Sequence, residues 1–259
     1  MDLDAAIAFA PALADLDPRL HDETLDWCIQ FARDLVSVSC IKHCLKFFDS
    51  EHRGRFDRFA AIVNTHGGTK WPTAVSPPPF TPSGKSRCKL DRAAAIQLRG
   101  RKIFGINARA DILVGLALYP LDPNPRWTHV NHLLDLGYTK RSLSDALNDL
   151  HAGGMLGTLK FGNTIRYALR KHEALRQILD PMPDTLGQPW AQRLALAASL
   201  LSVQRRTRDK SITTQAVEVR KVLEARRFAL ERSFTVLPDL SAGDPWPQID
   251  AWLEPLLRP

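Results

Sequence analysis

The residues best suited to chemistry lie between Tyr138 and Gly154. Thr139 follows a glycine turn at Gly137 and stands where a side-chain hydroxyl accepts the first free N–H groups of a helix. Leu143, Ala146, Leu147 and Leu150 recur at helical spacing and define one apolar face, and Gly153 and Gly154 end the helix. Lys140, Arg141, Ser142, Ser144, Asp145 and Asn148 fall off that face. The first turn thus carries short hydroxyls and two cations, with no bulky apolar group. Such a helix can seat its leucines in a core and leave its N-terminal end open to a partner, as a helix that reads DNA does.

Other constellations are weaker. Ser83-Gly84-Lys85-Ser86 has the lysine and hydroxyl of a phosphate loop, but Pro79 stands where the first glycine belongs, and no apolar strand precedes it. Cys28, Cys40, His43 and Cys44 are zinc-type donors without a pair spaced by two residues, so buried apolar cysteine is the better reading. His129 and His132 are three apart, so one helical face could hold both, and they read as surface or core histidines. Arg166 and His172 repeat a spacing seen in some helical ribonucleases, but they fall on a predicted strand and a later helix. No serine–histidine–acid set and no pair of catalytic carboxylates emerges, so neither an enzyme nor a metal or cofactor is expected.

Charge points the same way as the Tyr138 helix. The 259-residue chain has a formal net charge of +7. Residues 92–172 hold 12 Lys and Arg against 5 Asp and Glu, and the remainder balances at 23 of each. A localised cationic segment implies a polyanion, most simply nucleic acid. With 44% hydrophobic residues the chain is of ordinary globular composition and long enough to bury a real core. It has no run of about 18 apolar residues, so no membrane span or membrane partner is expected. The start MDLDAA is acidic where a secretory signal is basic, and four cysteines in so long a chain do not read as a disulfide scaffold. A cytoplasmic protein is expected.

The elements that must hold the Tyr138 helix are predicted as follows. Residues 1–65 form a helical region, with stripes Leu25, Cys28, Ile29, Ala32, then Val38, Ile41, Leu45, Phe48, then Phe56, Phe59, Ala60, Val63. Residues 66–90, with Pro77, Pro78 and Pro79 in succession, read as a linker. Residues 91–171 form a central unit opened by a basic helix carrying Arg92, Arg99, Arg101 and Lys102. Within it, Ile112, Leu113, Leu116 and Ala117 face inward from one helix, and a proline-rich connection follows over 119–125. Trp127 and Thr128 then lead to a short helix with Val130, Leu133 and Leu134 inward. After the Tyr138 helix, alternation around Gly162-Asn163 predicts a β-hairpin. Residues 172–259 form a C-terminal helical region, including a long helix to Phe234 and a tail whose Trp246 and Trp252 should dock on a neighbour.

This order of helix, short helix, glycine turn, helix and hairpin resembles the winged helix-turn-helix domain of bacterial transcriptional regulators of the MarR- and ArsR-like group. RADILVGLAL resembles the first helix, THVNHLLDLGYTKRSLSDALNDL the helix-turn-helix, and MLGTLKFGNTIRYAL the wing, over about residues 105–170. The resemblance implies a mainly α fold with a central winged helix and helical flanks on both sides. It implies sequence-specific binding of double-stranded DNA by a homodimer acting as a repressor, with any small-molecule effector unspecified. The Tyr138 helix would enter the major groove, where Arg141 with Lys140 suits guanine, Asn148 adenine, and Asp145 cytosine or Arg141 itself. Tyr138, Thr139 and Ser142 would touch phosphates, and the wing residues Lys160, Asn163, Thr164 and Arg166 would approach phosphates or the minor groove. Two other classes stay open: a winged-helix interaction adaptor, and a nucleic-acid-processing enzyme centred in the N-terminal helices.

Overall fold

The computed structural model describes residues 2–118, 127–183, 190–231, 238, 240 and 243–257, with side chains outside 226–231 and 256–257. The connection expected over 119–125 and the end of the helix expected to reach Phe234 lie outside the described residues. The chain is mainly helical, with one small antiparallel sheet. No described helix is long and apolar enough to cross a membrane.

Four helices open the chain: α1 (Leu3–Phe9), α2 (Pro18–Leu35), α3 (Val38–Leu45) and α4 (Ser50–Gly67). Each starts on a side-chain cap, with Asp2, Asp17, Ser37 and Asp49 accepting from Ala5, Leu20, Cys40 and His52 N–H groups. The stripes read from the sequence meet in one core: Leu25, Cys28 and Ala32 of α2, Ile41 of α3, and Phe56, Phe59, Ala60 and Val63 of α4. Cys28, Cys40 and Cys44 are free and buried, and burial raises the pKa of all three thiols.

Residues 68–92 lack regular structure, the expected bounds being 66–90, and they are pinned rather than slack. Trp71 is buried in the α2–α4 core, 5.9 Å from the Phe56 ring and 6.3 Å from the Phe59 ring. The buried Asp26 carboxylate accepts from Gly84 N (2.8 Å) and Ser86 N (3.1 Å). The loop that resembles a phosphate cradle is therefore filled by a carboxylate of the chain itself.

The central elements are α5 (Ile96–Phe104), α6 (Ala108–Ala117), a 3₁₀ turn (Val130–Leu136), α7 (Lys140–Ala152), β1 (Leu156–Phe161), β2 (Thr164–Leu169) and α8 (His172–Leu179). They share a core of Ile96, Ile112, Leu113, Leu116, Val130, Leu133, Leu143, Leu147, Leu150, Leu156, Tyr167, Leu175 and Leu179. Two expectations need correction here. The short second helix is a 3₁₀ turn capped by His129, and Leu134 points outward. The helix expected to carry four basic side chains starts after Arg92 and buries Arg99 and Arg101, leaving Arg92 and Lys102 exposed.

The reason lies in close helix packing. At Gly100 a β-carbon would stand 2.3 Å from Val114 Cγ2, so α5 lies tight on α6 and its flanking arginines are carried inside. Arg99 donates to the carbonyls of Leu179, Arg92, Leu90 and Pro181. Arg101 forms two forked pairs, to Asp111 (Nε 2.9 Å, Nη2 2.8 Å) and to Asp4 (Nη1 3.1 Å, Nη2 2.6 Å), and also meets Leu35 O at 3.0 Å. Asp4 belongs to α1, so this knot ties the start of the chain to its centre.

Three further helices follow among the described residues: α9 (Trp190–Thr207), α10 (Ile212–Glu231) and α11 (Pro245–Leu257). Trp190, Leu194, Ala195 and Ala198 of α9 pack on Ala5 and Ala8 of α1. The expected tryptophan tail is helix α11, with Trp246 and Trp252 against Leu196, Leu200, Val219 and Leu223; Trp246 Nε1 donates to Gln215 Oε1 at 2.6 Å.

Candidate nucleic-acid interface

The tip of α7 is built locally and held from behind. Gly137 adopts φ +86°, and a β-carbon there would come within 3.0 Å of Cys40 Cα and His43 Cβ, so α3 sits directly against this turn. Cys40 Sγ donates to Leu136 O at 3.1 Å. Thr139 then caps α7, its hydroxyl accepting from Ser142 N at 3.1 Å, while Leu143, Ala146, Leu147 and Leu150 face the core as predicted.

Thr139, Lys140, Arg141, Ser142, Asp145 and Asn148 are all exposed. The Arg141 side chain is 93% exposed, and its Nε lies 3.9 Å from Asp145 Oδ2. Ser142 Oγ lies 2.9 Å from Thr139 Oγ1, so these two hydroxyls hold each other at the tip. No acidic residue occupies the first turn of α7. Lys140 and Arg141 therefore stand at the positive end of the helix dipole, an arrangement that opposes helix stability by about 0.3–1 kcal/mol per charge.

Tyr138 departs from its expected role. Its hydroxyl donates to Asp111 Oδ2 at 2.7 Å and lies 3.3 Å from Ser37 Oγ, which joins it to the Arg101 knot instead of turning it outward. Burial, then the Asp111 charge, raises its pKa. Tyr138 fixes the angle at which α7 leaves the turn.

The hairpin is locked to α7. Tyr167 OH donates to Asn148 Oδ1 at 3.1 Å, and His151 Nδ1 lies 3.1 Å from Leu156 O. Thr128 and Tyr167 exchange two backbone hydrogen bonds of 2.8 Å, tying the entrance of the 3₁₀ turn to β2. Asn148 thus keeps its amide donors but has its oxygen engaged. Lys160, Asn163 and Arg166 are exposed, and Thr164 is half-buried. Arg170 and Lys171 are exposed just beyond β2 and were not singled out from the sequence, although Arg170 continues the outward alternation of Arg166. Arg109 pairs with Asp149 at 3.4 Å across exposed surface.

The surface so assembled has a cationic helix tip and a cationic hairpin in fixed relation. Among the described residues no group of three or more His, Cys, Asp or Glu is arranged to hold a metal ion. The chain matches no protein-family model, no curated protein and no solved structure.

Proposed function

We propose that the central unit is a winged helix-turn-helix that binds double-stranded DNA, with α7 in the major groove and the β1–β2 hairpin as the wing. In this reading the chain is a homodimeric transcriptional repressor. The observation that carries it is the pair Lys140 and Arg141, uncovered in the first turn of α7 where they work against the helix dipole. A fold spends stability in this way at a functional surface. The element order and the Asn148–Tyr167 lock support the same reading, because they give helix tip and wing one rigid geometry. Lys140 and Arg141 address base edges, Thr139 and Ser142 the phosphates at the groove edge, and Lys160, Asn163 and Arg166 the neighbouring backbone. A dimer would present two such helices about 34 Å apart to a palindromic site.

A mobility-shift titration on the DNA upstream of its own coding sequence tests this. Binding should weaken steeply with salt as phosphate contacts release counterions. Arg141→Ala should lose about 1–3 kcal/mol of discrimination, about five- to over one-hundredfold, at the base it reads. Unchanged sequence-specific binding by this variant would overturn the assignment. The exposed carboxylates Asp145 and Asp149 on the same face favour a second reading, a protein-interaction adaptor. Absence of any retarded complex at low salt would favour that one.

A further inference from the structure

The outward face of the hairpin carries more than charge. Opposed residues in an antiparallel pair project to the same face, and the register pairs Phe161 with Thr164, Leu159 with Arg166, and Gly157 with Ala168. Phe161 is 74% exposed and Leu159 45%. Arg170 Nε passes 3.7 Å from the place a β-carbon at Gly157 would take, so its side chain crosses the root of this face. From root to tip the face reads arginine, arginine beside leucine, then a bare phenylalanine at the turn.

Phe161 and Leu159 lie together on this face with Arg166 beside them, and an exposed apolar pair rimmed by charge is the kind of patch that marks a contact surface. A second copy docking on this face by a two-fold axis would bring two arginine-bearing faces of like charge together. A polyanion neutralises both arginines while accepting the ring beyond them at the tip. The ring at a hairpin tip is a flat wedge of the kind that enters a base step from the minor groove.

We propose that Phe161, backed by Leu159, inserts into a minor-groove base step and bends the duplex, while Arg166 and Arg170 hold the flanking phosphates. This rests on the DNA-binding reading above and adds deformation of the duplex to it.

The test uses the full chain and a duplex recovered by selection from a random-sequence pool, labelled at its ends with a donor and an acceptor dye. The wild-type chain should raise energy transfer by bending the duplex. Phe161→Ala should abolish that rise and weaken binding about five- to over one-hundredfold, the worth of a base–aromatic stack. Phe161→Leu, which keeps an apolar wedge, should retain most of the bend. A wild-type complex with straight DNA, or a Phe161→Ala complex bent like wild type, overturns the wedge and leaves the DNA-binding reading standing. A DNA-free dimer that sediments as a monomer after Phe161→Ala also overturns it, because the face then belongs to a second copy. Failure of the wild-type chain to retain any duplex at low salt removes both proposals.

Discussion

Asp4 and Asp26 are both buried carboxylates, and their pKa values move in opposite directions. For Asp26, burial raises the pKa, but the N–H groups of Gly84 and Ser86 outweigh it and hold the carboxyl below the usual range. For Asp4, burial raises the pKa, Arg101 lowers it, and Asp2 and Asp111 raise it again, leaving it at about 6 instead of 3.8. One guanidinium cannot fully compensate two carboxylates in its forks. The signs of linkage therefore differ. Asp26 stabilises the fold above its unfolded pKa, and that contribution is lost in acid as pH falls through its folded value. The folded chain keeps a proton on Asp4 that the unfolded chain releases, so its contribution is fully present below 3.8 and is lost as pH rises through about 6. Asp4→Asn removes this dependence. Urea unfolding should show the stability gap between wild type and Asp4→Asn shrinking by about 2 kcal/mol from about pH 4.5 to about pH 7.5. A gap that stays constant would mean that Arg101 holds Asp4 ionised throughout.

The turn before α7 shows how an element is aimed. Gly137 is needed there twice, for its φ of +86° and for the 3.0 Å approach of α3. Gly162 in the hairpin turn has φ +57° but open space around it. Gly162→Ala should therefore cost about 1 kcal/mol, the backbone penalty alone. Gly137→Ala adds overpacking against Cys40 and His43 and should cost about 2–4 kcal/mol in thermal unfolding. Equal losses at the two sites would mean that α3 yields freely. The same contrast explains what the sequence could tell. Local signals were legible: the Thr139 cap, the leucine stripe of α7 and the Gly162-Asn163 hairpin need only neighbours a few residues away. The partners of Arg101 were not, because Asp4 lies 97 residues off and belongs to another helix, so a buried pair reads as surface charge. Tyr138 misled for the same reason, since its acceptor Asp111 comes from α6. In residues 68–92, composition announced irregular backbone, but the docking of Trp71 and the Asp26 contacts depend on helices that composition does not place.

At the scale of the molecule, an ionic knot joins the N-terminal helices to the central unit. Arg101 of α5 holds Asp4 of α1 and Asp111 of α6, and Asp111 holds Tyr138 one residue before the Thr139 cap. α9 lies over α1 from the other side. The angle of the cationic tip is thus set by residues near the beginning of the chain. Arg101→Met would leave two buried carboxylates without their cation, a loss of about 3–5 kcal/mol. Because the knot joins α1, α5 and α6, and Asp4 also accepts from Ser37 N at the start of α3 (3.3 Å), that loss should be shared. Native-state hydrogen exchange should show the opening free energies of amides in α1, α3 and α6 falling together in Arg101→Met, as expected of one cooperative unit. Asp111→Asn, which keeps Arg101 paired with Asp4, should lower them by a smaller and equally shared amount. If α6 loses protection while α1 and α3 keep theirs, the N-terminal helices fold on their own and α7 takes its direction from the central core alone.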